Sequence, residues 1–237
     1  MSENSAFVKA KHYVDSHMHD IDAKNKGTVG PCITISREAG SGSGLIAEKI
    51  IHFLQPFAKD QESAWAIFDK NLIERVLEDH HLPKQIAKFL SEEKKPLLTQ
   101  TLNEMLGIHP PLMKLYHKTA ETILNLAHIG NCIIVGRGAN IITSSLKNAY
   151  HVRLVAPLEF RINNVQEFYG NTKTEAVAFV KKEDAKRSAF IKDHFNKNAE
   201  DPLLYHSILN TANFSIDEIA EIIAWSVRIK FSKYYLE

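Results

Sequence analysis

Apolar positions along the chain fall into two patterns, short β-branched runs and longer stretches with a helical period. Cys32-Ile33-Thr34-Ile35, bounded by Gly30 and Pro31, reads as a buried strand. Leu45, Ile46, Lys49, Ile50 and Phe53 follow at helical spacing. Ala64-Trp65-Ala66-Ile67-Phe68 is a second strand candidate, and a helix begins after Asp69. Residues 78–128 show no convincing strand. Ile86, Phe89 and Leu90 mark one helix there, Leu97 to Leu106 another, and Leu112 to Leu126 a long third. Asn131-Cys132-Ile133-Ile134-Val135 is the clearest buried strand. Tyr150 to Ala156 is a fourth, with Pro157 opening a helix at its first turn. Residues 172–195 read as a long charge-rich helix and Tyr205 to Thr211 as a fifth strand. Ser215 caps a final amphipathic helix with Ile216, Ile219, Ile222, Ile223, Val227 and Ile229 inward. Ahead of the first strand, Phe7, Val8, His12, Tyr13, Val14 and Met18 give residues 1–28 the stripe of an appended helix, ended by Lys24 to Gly27.

Five strands alternating with helices predict an α/β fold, a parallel sheet covered on both faces as a three-layer sandwich. The organisation expected is an N-terminal helical extension over 1–28 and one domain over 29–237. Within that domain, 78–128 form a helical insertion and 158–195 carry lid-like helices.

Composition narrows the class without naming it. The chain has 237 residues, 44% of them hydrophobic and 24% charged, as expected for a globular protein. A formal net charge of +1 gives no reason to expect nucleic acid as a partner. No apolar run reaches the roughly 20 residues that span a bilayer, and the N-terminus lacks a signal-peptide pattern. No membrane association is expected, and a cytoplasmic location is the default. Cys32 and Cys132 fall in buried strands and read as core residues rather than a disulfide or a metal pair. His17 and His19 lie two apart on a helix and do not face each other, which argues against a metal there.

The chemistry gathers at strand ends. Gly40-Ser41-Gly42-Ser43-Gly44 joins a buried strand to a helix N-terminus, an order that aims backbone amides and the helix dipole into one concavity. The loop either cradles phosphate or is a glycine-rich turn without a ligand. Against the P-loop pattern, Arg37 stands at the first glycine, Ser43 at the lysine and Gly44 at the Ser/Thr. Arg137, between Gly136 and Gly138 after a buried strand, presents a planar fork suited to phosphate or carboxylate; the alternative is a surface arginine in a tight turn. Asp69 is either a ligand at a strand's carboxyl end or a helix cap. Arg161 and Arg187, on successive helices, either close over a phosphate or belong to a solvated face.

Taken in order, several motifs resemble one known group. They are Ile35-Ser36-Arg37-Glu38-x-Gly40-Ser41-Gly42, Phe68-Asp69-Lys70-x-Leu72-Ile73 and Ile134-Val135-Gly136-Arg137-Gly138-Ala139, then Val155-Ala156-Pro157 with Arg161, and Ile208-Leu209-Asn210-Thr211. Over about residues 31 to 230 the set is similar to the cytidylate kinase-like family of P-loop proteins. The resemblance implies an NMP-kinase-like sandwich and transfer of the ATP γ-phosphoryl group, with Mg²⁺, to a nucleotide. It would seat the ATP phosphates on Arg37 and Gly40 to Gly44. It would place the acceptor against Asp69 and Arg137, with Arg137, Arg161 and Arg187 catalytic. The family's Gly-Arg-Asp motif ends here in Gly138, which removes one route to pyrimidine recognition. Its common Gly-Ser-Gly-Gly-Arg-Glu is Gly-Ser-Gly-Ser-Gly-Leu here. The rival reading is a degenerate P-loop domain that binds a nucleotide or anion as a sensor or interaction module. A third is an oligomeric scaffold built on the two terminal helices, and a homo-oligomer is compatible with any of them.

Overall fold

The structure, a computed structural model, describes residues 3–18, 29–57, 64–79, 83 and 113–236. The helices expected around Ile86 to Leu90 and Leu97 to Leu106, and the stop at Lys24 to Gly27, lie outside these residues.

Five strands form one parallel sheet: β1 (Cys32–Arg37), β2 (Ala66–Phe68), β3 (Cys132–Val135), β4 (Ala149–Val155) and β5 (Ser207–Asn210), in the order β2-β3-β1-β4-β5. Chain order reverses its direction at β1, so β1 leaves the sheet at the crevice where such folds bind ligands. The register sets Ile35 against Val135 of β3, and Ser36 against Arg153 of β4. Cys32 stands opposite Cys132, and both are buried free thiols, as a core reading requires.

Around the sheet pack α1 (Glu3–Met18), α2 (Ser43–Leu54), α3 (Lys70–Glu78), α4 (Met113–Ile129), α5 (Ala139–Ile142), α6 (Leu158–Tyr169), α7 (Lys173–Phe195), α8 (Ile216–Lys230) and α9 (Ser232–Leu236). Side-chain alternation splits the core in two. Ile33 and Ile35 of β1, with Val152 and Leu154 of β4, pack on α2 and α8. Cys32, Ile134 and Phe68 turn the other way, onto α1, α3 and α4. No described helix is long and apolar enough to cross a membrane.

One strand boundary and two helix faces are among the differences from the sequence reading, and the fifth strand shortens to Ser207–Asn210. The second strand is only Ala66–Phe68, because Ala64 and Trp65 precede its ladder with β3, although Trp65 is still buried. On α1 the buried stripe is Ala10, Tyr13, Val14 and His17, while Val8 and His12 face out. Tyr13 sets that rotation by donating its hydroxyl to the Gly130 carbonyl and packing edge-on to Phe68. On α8 the core face is Ile219, Ala220, Ile223, Ala224 and Val227; Ile216, at the first turn, and Ile229, two residues past Val227 and so on the opposite face, are exposed.

One buried polar group makes the fold sensitive to acid. His151 of β4 hydrogen-bonds Thr34 of β1 at 2.9 Å, and its backbone N–H donates to His206 Nδ1 at 2.9 Å. Burial, then the nearby His206 and Lys230, lowers His151 to about 4. In the unfolded chain a histidine takes its proton near pH 6.5, so stability is intact above that value and drains away down to about pH 4. The loss attributable to His151 is about 3 kcal/mol, at 1.36 kcal/mol per pH unit. In urea titrations between pH 7.5 and 4.5, His151→Gln is expected to lose much less of its midpoint than the wild type.

Candidate functional site

The loop after β1 is fixed by side chains from far along the chain. Gly40 and Gly42 adopt φ values of 81° and 79°, which turn the backbone into α2. A Cβ on Gly40 would lie 2.4 Å from the Arg161 carbonyl oxygen, so the loop packs flush against α6. Arg161, 7% exposed, donates Nε to the Ala156 carbonyl at 2.9 Å and Nη1 to the Ala39 carbonyl at 3.1 Å. The same Nη1 meets Asp184 Oδ2 at 2.6 Å, and Nε lies 3.3 Å from Glu38 Oε2. Asp184, on α7, accepts from the Ala39 amide at 2.7 Å; Asn164 donates to the Gly40 carbonyl at 2.9 Å. Arg161 is therefore the clamp that ties β1, α6 and α7 together, with its Nε and Nη1 already engaged.

Beyond this clamp the amides of Gly42, Ser43, Gly44 and Leu45 have no partner among the described residues. The N-cap Gly42 offers α2 no side-chain cap. Four amides at the positive end of a 12-residue helix form the anion-receptive part of the loop. Lys49 lies further down the same helix and is paired with Asp217 at 2.7 Å, so it does not replace the missing loop lysine.

A cavity of about 530 Å³ opens beside the clamp, at the carboxyl ends of β3, β1 and β4 beneath α7. Seven cationic side chains line it against four anionic ones, a surplus that favours an anion. Arg37, Arg137 and Arg187 all reach it. Arg37 lies on Gly136, where a Cβ would come within 2.0 Å of its Nη1, so glycine is required. Burial first, then Arg187, lowers Arg37 to about 10, and it stays charged at neutral pH. Among the described residues no carboxylate stands within ion-pairing distance of it. Asp69 and Glu183 act on it only at longer range.

Arg137 sits in a run of left-handed residues, Gly136 at 86°, Arg137 at 56° and Gly138 at 68°. A non-glycine residue held in that region stores strain of the kind found at ligand sites. Its guanidinium pairs with Glu74 of α3 and lies 5.7 Å from the Phe190 ring centroid. Arg187 donates to the Arg37 carbonyl at 3.4 Å, and burial lowers its pKa. Asp69 N-caps α3, accepting from the Leu72 amide at 2.8 Å, and is exposed outside the cavity lining. Gly138 leaves room for nothing larger: a Cβ there would fall 2.4 Å from the Phe195 ring.

Sequence reasoning missed Arg153, Asp184 and Lys70, which also line the cavity. Arg153 carries a readable signal, a cation in the middle of a strand otherwise covered by helices. Asp184 does not, because its partner Arg161 is a helix away.

No group of three or more His, Cys, Asp or Glu suited to a metal occurs among the described residues. At the position where a P-loop hydroxyl holds Mg²⁺ stands Gly44, and two acids close to the loop in sequence or contact, Glu38 and Asp184, are spent on Arg161. The loop does not fit the usual protein ligands for Mg²⁺.

Sheet order, glycine loop and an arginine-lined crevice beneath α7 define a P-loop kinase-like α/β protein. The cytidylate kinase-like family model matches residues 32–213, and the chain belongs to that family. No curated protein matches. Among solved structures, an uncharacterised protein from Eubacterium ventriosum ATCC 27560 is similar at TM-score 0.65 and 20% identity. That match covers 84% of this chain and 98% of the other. A shikimate kinase from Bacteroides thetaiotaomicron aligns at TM-score 0.44 and 12% identity, over 85% and 98% of the two chains.

Proposed function

We propose that this protein is an ATP-dependent phosphotransferase acting on a phosphorylated acceptor of the nucleotide class. The observation that carries the reading is the convergence of Arg37, Arg137 and Arg187, from three separate elements, on one cavity, although Gly40 to Gly44 do not line it. Phosphoryl transfer asks a protein mainly for positioning and for positive charge against the equatorial oxygens. The Gly42 to Leu45 amides would hold the ATP phosphates, and Arg137, aimed by Glu74, the acceptor phosphate. Arg37 and Arg187 would face the group in flight. The acceptor phosphate is already an anion, so no general base is required. Mg²⁺, if used, would neutralise phosphate charge and be held by the phosphates.

A second reading keeps binding and drops turnover. It rests on Ser43 and Gly44 in place of the P-loop lysine and hydroxyl, and on Asp184 holding the Ala39 amide. Thermal shift with ATP, ADP and a panel of nucleoside monophosphates, followed by ADP release with the same panel, separates the two. ADP release that Arg137→Ala abolishes is the expected result. Saturable binding without turnover for every acceptor selects the second reading, and no binding at all overturns both.

A further inference from the structure

The cavity continues past Arg137 to a cation on the opposite wall. Arg153 stands in β4 opposite Ser36 of β1, and lines the same cavity. Its guanidinium carbon lies 5.7 Å from the Tyr205 ring centroid. Arg137 has Glu74, and Arg161 has Glu38 and Asp184. Arg153, by contrast, has no carboxylate within ion-pairing distance among the described residues. The face of the Tyr205 ring is a weaker partner for a guanidinium than a carboxylate would be. Packing alone would be served by an apolar residue at such a strand position.

Geometry adds a spacing. β3 and β4 are separated by β1, so the Arg137 turn and Arg153 stand two strand spacings apart, about 10 Å between backbones. The register puts them at nearly the same height along the sheet. Position 138, which ends the Gly-Arg-Gly turn, is glycine, and a Cβ there would fall 2.4 Å from the Phe195 ring.

We propose that Arg153 and Tyr205 form a second anion seat, so that the acceptor, a nucleotide or a smaller phosphate ester, is selected for carrying two separated anionic groups. This rests on reading the cavity as the acceptor site. One anion, a phosphate, goes to Arg137; the second, a phosphate or a carboxylate, goes to Arg153.

The test is calorimetric titration at fixed ionic strength with two matched pairs. Glycerol 3-phosphate against 3-phosphoglycerate adds a carboxylate; ribose 5-phosphate against ribose 1,5-bisphosphate adds a phosphate. In the wild type at least one doubly anionic probe is expected to bind tenfold or more tightly than its partner, and the pair that shows the gap identifies the second group. Arg153→Met is expected to shrink that gap to within twofold while leaving the singly anionic probe's Kd unchanged. Arg153→Lys is expected to restore part of the gap. Equal affinities within both wild-type pairs overturn the proposal, as does equal weakening of both members by Arg153→Met. If Arg153→Met does not fold, the wild-type pairs and Arg153→Lys still decide. ADP release is not read, so a protein that never turns over ATP can pass, and an active kinase can fail.

Discussion

Arg37→Met is expected to lower phosphoryl transfer by about 10³-fold or more, the scale credited to a cation facing the transferring group. It is also expected to leave thermal stability unchanged or raised. The second half distinguishes a functional arginine from a structural one. Arg37 is charged at a site where burial, Arg187 and Arg137 all disfavour the charge. A displacement to about 10 corresponds to roughly 3 kcal/mol against the charged form. Nothing among the described residues repays that cost through an ion pair. A thioether of similar length removes the charge and keeps most of the stem packing. Melting temperature and ADP release measured on one preparation check both halves. A variant that melts well below the wild type would show that Arg37 holds the fold together.

Arg161→Met should produce the opposite signature, a fall in melting temperature of roughly 6 to 20 °C. Arg161 is buried among Glu38, Asp184 and two main-chain carbonyls. Removing it strands two carboxylates against each other, and breaking a buried pair from one side costs about 3 to 5 kcal/mol. For a chain of this size each kcal/mol moves the melting point by about 2 to 4 °C. Arg161→Lys is expected to recover little, because an ammonium lacks the planar fork that serves Ala156, Ala39 and Asp184 together. Differential scanning calorimetry of the two variants reads the difference. A small shift for Arg161→Met would leave the arginine available for a ligand, as the sequence alone suggested.

These two arginines show what local pattern reveals and what it cannot. The strand, glycine loop and helix were legible because β-branched alternation, turn glycines and helical spacing are all short-range signals. Arg37, Arg137 and Arg187 were legible as candidates because each lies beside a readable motif. The clamp was not, since it joins Glu38 to Ala156 across 118 residues and Arg161 to Asp184 across 23. Arg153 was passed over because a strand read as a buried run invites every residue in it to be treated as core. The α1 stripe was rotated because Tyr and His suit either an interior or a surface, and only the Gly130 carbonyl decides which face Tyr13 turns inward.

The family model spans residues 32–213, yet the protein's interior ignores both limits. Tyr13 and Val14 lie before it and Ile219, Ile223 and Val227 after it, and all five are sealed from solvent. A fragment trimmed to the homologous segment would expose Phe68 on one side and Ile46 on the other. The evolutionary module and the unit able to fold are different lengths of this polypeptide.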